Sequence, residues 1–163
     1  MALDVGSLTG ELVKLYEKGP KGNSDPKEVG RETGKAYMNF CSKAMDSGGG
    51  KFVSMSGASD LGKNLGDIYN KESIGGALTA EAIATEFNNC LLTFKTDQQL
   101  VIITSTGYPM MIMGLIGVFS APNTSAAQYA QKLAMEIASF TMMAIVSGLI
   151  PGAPPVPYTG PLI

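Results

Sequence analysis

Charge runs out part-way along this chain. Residues 1–97 hold 24 of the 26 charged side chains, and residues 98–163 hold two, Lys132 and Glu136. The last 24 residues, FTMMAIVSGLIPGAPPVPYTGPLI, hold none. An element that stands in water needs a polar face, and the second part cannot supply one to each of its elements. Something has to cover it: the first part of the chain, other subunits, or lipid. A chain of 163 residues, 45% of them hydrophobic and 16% charged, is long enough for one domain with a real core. Residues 1–97 read as a charged helical half and 98–163 as an uncharged apolar half of that domain.

The pattern of apolar residues predicts a mainly α fold. SLTGELVKLYEKG reads as a short helix capped by Ser7 or Thr9 and stopped at Gly19-Pro20. The next helix has a full start signal, with Asp25 as N-cap, Pro26 at the first position and Glu28 at the third. SDLGKNLGDIYN predicts a short helix. GGALTAEAIATEFNNCLLTF predicts another, with Thr79 as its cap and Ile83, Phe87, Cys90, Leu91 and Phe94 at helical spacing. Leu100–Thr104 is short and β-branched, which favours a strand. Gly107-Tyr108-Pro109 signals a turn. Periodicity alone does not decide between strand and buried helix for Met110–Phe119, so a small β-hairpin near 99–118 is one expectation. A long helix follows over 123–150. Pro151-Gly152 ends it, and 151–163 is expected to be an extended, Pro-rich tail.

Candidate chemistry is sparse. The chain has no histidine, the commonest general base and metal ligand. Cys41 and Cys90 fall on apolar helix faces and read as buried thiols. Ser47-Gly48-Gly49-Gly50-Lys51 is similar to a fragment of a phosphate loop, but it lacks the GK[ST] ending. Gly30/Gly34 and Gly62/Gly66 each make GxxxG, which reads as close packing of helices, because charged residues surround both. Asn123-Thr124-Ser125 matches a glycosylation acceptor, yet MALDVGSLTGEL carries no basic, apolar start of a secretion signal. No catalytic residue, metal ligand or cofactor-binding residue is assigned. A net charge of −2 argues against a basic nucleic-acid surface.

Three readings compete for the uncharged half. Membrane insertion would use segments 100–119 and 137–150, but the first is broken at its centre by Thr104–Gly107 and Pro109, and the second is too short to span. An enzyme would need a motif, and none is present. A structural subunit would bury its apolar half against copies of itself or other subunits, as obligate interfaces do. The residues expected at such an interface are Phe140, Met142, Met143, Ile145, Val146, Leu149 and Ile150, with Pro154, Pro155, Val156, Pro157 and Tyr158 in the tail.

The order of parts resembles small virion structural proteins of tailed bacteriophages. The helix AEAIATEFNNCLLTF, the Thr-rich β-prone segment and the Gly/Pro end YTGPLI carry the resemblance, over roughly the last 90 residues. It implies repeated copies in a neck, tail, baseplate or capsid lattice of a virion, with protein partners and no catalysis. The alternative is a small membrane-inserted or pore-forming protein.

Overall fold

The computed structural model describes residues 3–18, 25–71, 75–122 and 125–163. Among them are six helices, α1 (Val5–Tyr16), α2 (Pro26–Cys41), α3 (Ala58–Asn70), α4 (Gly76–Leu91), α5 (Tyr108–Ser120) and α6 (Ala126–Met142). Five strands accompany them, β1 (Phe52–Met55), β2 (Phe94–Thr96), β3 (Gln99–Ser105), β4 (Ala144–Ile150) and β5 (Val156–Pro161).

Local chemistry starts several helices. Asp25 caps α2, its carboxylate accepting the N–H groups of Lys27 and Glu28, and Pro26 opens the helix. Asp4, rather than Ser7 or Thr9, caps α1 by accepting the N–H of Ser7. Thr79 lies inside α4, where its hydroxyl donates back to the carbonyl of Gly75. Ser125 caps α6. The Gly19-Pro20 stop and the Asn123-Thr124 part of the acceptor pattern lie outside the described residues.

The helices form three hairpins of one design. The even helices begin at 26, 76 and 126, and positions fifty residues apart share the same fate. Thr33, Ile83 and Leu133 are buried, as are Tyr37, Phe87 and Ile137, Phe40, Cys90 and Phe140, and Ala44, Phe94 and Ala144. In the odd helices Leu8, Leu61 and Met111 are equivalent buried positions, followed one turn later by Leu12, Leu65 and Leu115. The strands repeat too. Met55 pairs with Phe94 and Ser54 with Lys95; fifty residues on, Ser105 pairs with Ala144 and Thr104 with Ile145. In the first hairpin the partner comes from the other end of the chain, because Met45 exchanges both backbone hydrogen bonds with Ile163.

Each helix packs on its neighbours in chain order, and α6 returns to α1, so the hairpins close a ring. Equivalent side chains meet inside it. Tyr37 packs edge-on against Phe87 with ring centres 5.0 Å apart, and its hydroxyl lies 3.1 Å from that of Thr141. At the loop end the rings of Tyr16 and Tyr129 pack tilted at 55°, and the Tyr16 hydroxyl donates to that of Tyr69. Each large side chain withdrawn from water in this way contributes about 1.5–3 kcal/mol. The two GxxxG pairs form the joint between α2 and α3. A Cβ at Gly30 would lie 2.2 Å from the backbone nitrogen of Gly66, so only glycine lets these helices approach this closely.

Several expectations for the second half need correction. The fold is mostly helical with two small antiparallel sheets. Residues 99–118 are not a hairpin but β3 followed by α5. The helix expected over 123–150 ends at Met142, and the chain continues as β4. The expected extended tail 151–163 contains β5, and it completes a three-stranded sheet of order β3-β4-β5. Strand β4 can form because β3 and β5 satisfy both of its edges, a long-range pairing that overrides local helical pattern. Segments 100–119 and 137–150 are thus each divided between a strand and a helix. No helix among the described residues is long and apolar enough to cross a membrane.

Candidate subunit interface

The repetition of one hairpin gives the surface of α5–α6 an internal reference, the surface of α3–α4. At matching exposed positions, Asp60 corresponds to Met110 and Lys63 to Met113. Thr85, half-buried, corresponds to Met135, which is 60% exposed. Met113 is 69% exposed and Met110 59%. At these three positions the third hairpin therefore carries thioethers where the second is polar, on a shared buried pattern. Flexible, polarizable methionine suits a surface that packs against another protein.

Strand β3 extends this apolar surface. Leu100 and Ile102 are 75% and 65% exposed, and among the named strands β3 pairs only with β4. Leu100 sits at φ +51, left-handed backbone that a leucine adopts at a cost of about 1–3 kcal/mol. The register shift between Gln99 and Ile102 falls at this residue. A strained, solvent-facing leucine on a bulged edge strand is hard to explain by the needs of the core.

The residues expected at an interface fall into three groups. Phe140 and Val146 are buried in the chain's own core. Ile145, Leu149, Ile150 and Tyr158 are half-buried. Met142, Met143, Pro154, Pro155, Val156 and Pro157 are exposed. The exposed residues Met110, Met113, Met135, Leu100 and Ile102 are not among those expected at an interface from the sequence. The available signal was the match of Ser56-Gly57 with Thr106-Gly107, which aligns Asp60 and Lys63 with the methionines.

Between α5 and α6 the surface opens into a groove of about 420 Å³ lined by Met113, Gly114, Gly117, Lys132, Met135 and Glu136, among others. The carboxylate of Glu136 lies over Gly114, where an added Cβ would meet it at 1.9 Å. Burial raises the pKa of this carboxyl above its ordinary value. In the second hairpin the equivalent Glu86 accepts a hydrogen bond of 2.7 Å from Asn64. Gly114 stands at the Asn64 position and has no donor to offer.

The other chemical signals resolve into packing. Asp46 is fully buried. Its carboxylate accepts the N–H groups of Gly48 and Gly50 and the hydroxyls of Thr96 and Tyr158. The glycine run that is similar to a phosphate loop thus closes around an anion from its own chain. Tyr158 is clamped here, because a Cβ at Gly48 or at Gly148 would strike its ring or hydroxyl. Burial, then the bond to Asp46, pushes its phenol up to about 12. Cys41 and Cys90 are buried and unbridged. Burial holds the Cys41 thiol far above its usual range and pushes Cys90 up to about 12, which disfavours the reactive thiolate. Among the described residues no group of three or more acidic or cysteine side chains could hold a metal.

With this geometry in hand, comparison with protein-family models, curated proteins and solved structures finds no match.

Proposed function

We propose that this chain is a non-catalytic structural subunit that assembles with copies of itself and with other structural subunits through the outer surface of its third hairpin and the adjoining sheet edge. The observation that carries the reading is the exchange of Asp60, Lys63 and Thr85 for Met110, Met113 and Met135 on a conserved buried pattern. Core requirements cannot account for it, because the second hairpin satisfies the same core with polar residues at these three positions. The virion of a tailed bacteriophage is the setting that the resemblance in order of parts supports. Of its three features, the α4 helix and the β-prone Thr-rich segment keep their expected character, while the Gly/Pro end folds as a strand.

The experiment transplants one surface onto the other. A triple variant, Met110→Asp, Met113→Lys and Met135→Thr, gives the third hairpin the exterior of the second. Light scattering of the unsubstituted chain without detergent should report a multimer. The variant should report a single chain of unchanged helical content. A variant that assembles as before, or a parent chain that is already monomeric, contradicts the reading.

A further inference from the structure

Glu136 is the feature of the third hairpin that an apolar docking surface alone leaves unexplained. Its carboxylate is partly withdrawn from water, and no hydrogen bond or ion pair to it exists among the described residues. Glu86 shows what the fold does when such a carboxylate serves the chain itself: Asn64 is placed 2.7 Å away to satisfy it. At Glu136 the corresponding residue is Gly114, which removes the donor and deepens the groove in one step. The walls next to the carboxylate are Met113 and Met135. A groove with thioether walls and a partly buried carboxylate on its floor is complementary to a long aliphatic stem ending in a cation, the side chain of lysine or arginine.

The source of the cation follows from the distribution of charge. Lys132 is the one basic residue of 98–163, and it is already engaged within its own chain. The other 11 of the 12 lysines and arginines lie in residues 1–97. A symmetric contact between two third hairpins would place two poorly solvated carboxylates in one interface and bring no free cation to them. Extending the reading of the third hairpin as a docking surface, on which this rests, we infer that the Glu136 groove receives a lysine or arginine from the charged half of a second copy of this chain. The contact joins two different surfaces, so it repeats head to tail and builds a ring or a filament.

Sedimentation equilibrium of the full chain at low and high salt tests this, with Glu136→Gln and Lys132→Gln as variants and circular dichroism to confirm folding. The chain should self-associate, and more weakly in high salt. Glu136→Gln should weaken association about tenfold or more, the usual cost of removing one member of a desolvated charge pair. Lys132→Gln removes a like charge from the groove wall and should not weaken it. A tighter complex in Glu136→Gln would indicate a two-fold contact with opposed carboxylates and overturn the inference. So would an equal loss in both variants, which would pair Glu136 with Lys132 across a two-fold axis. Association unaffected by Glu136→Gln but abolished by the surface transplant overturns the pairing and leaves the docking surface standing. A chain that stays monomeric overturns both.

Discussion

The α3–α4 and α5–α6 hairpins bury equivalent residues at equivalent depths and turn different chemistry outward. In the first, Asp60 and Lys63 face water and Glu86 is held by Asn64. In the second, methionines stand at the first two positions and Glu136 has lost its donor to a glycine. Closing the ring requires the shared part, because Tyr37, Phe87 and Thr141 meet inside only if all three hairpins keep their register. The unshared part is free to vary, and so it carries the information about what the protein meets. The distinction is not total, since exposed Leu92 matches exposed Met142. It is sharpest at the middle of the helices, around the groove.

The comparison can be broken where it claims sameness. Phe87→Ala and Ile137→Ala remove equivalent core side chains, so each should destabilise folding strongly, by about 3–5 and 2–5 kcal/mol respectively. Urea denaturation checks this, and a loss at one site only would show that the hairpins do not contribute as equals. It can be sharpened where it claims difference. Asn64→Ala strips Glu86 of its donor and should cost about 1–2 kcal/mol. The reciprocal Gly114→Asn supplies Glu136 with a donor and removes a helical glycine. It should stabilise the isolated chain by about 0.5–1 kcal/mol, while filling the groove and weakening self-association.

The smallest effect concerns pH. Burial raises the Glu136 pKa in the folded chain, so the native state holds its proton more tightly than the unfolded state does. Stability is then highest below the unfolded carboxyl pKa and falls as pH rises through the folded one. In the monomeric transplant variant, Glu136→Gln should therefore raise stability slightly at neutral pH, solvent screening keeping the effect small, and leave it unchanged in acid. Thermal unfolding at the two pH values measures it.

The sequence made some of this architecture readable. Asp25-Pro26 marked the start of α2, and paired glycines at 30/34 and 62/66 announced a close helix contact. Lys132 and Glu136 marked the uncharged half as unusual. The threefold repetition stayed hidden because equivalent positions share burial rather than identity: Tyr37, Phe87 and Ile137 have no side-chain chemistry in common beyond being apolar and large. The end of α6 was equally hard to read. No glycine or proline stops it at Met142, and the helix gives way only because β3 and β5 offer hydrogen bonds to the residues that follow. Of the residues expected at an interface, Phe140 and Val146 belong instead to the core. Without the repeat in view, apolar residues needed inside and those left outside could not be separated.

Brief hydroxyl-radical oxidation of the detergent-free chain, dilute and then concentrated, with methionine modification read by mass spectrometry, is the most direct test. Protein packed against the third hairpin should slow the modification of Met110, Met113 and Met135 in the concentrated sample. Equal modification rates for these three residues in the two samples would contradict the account.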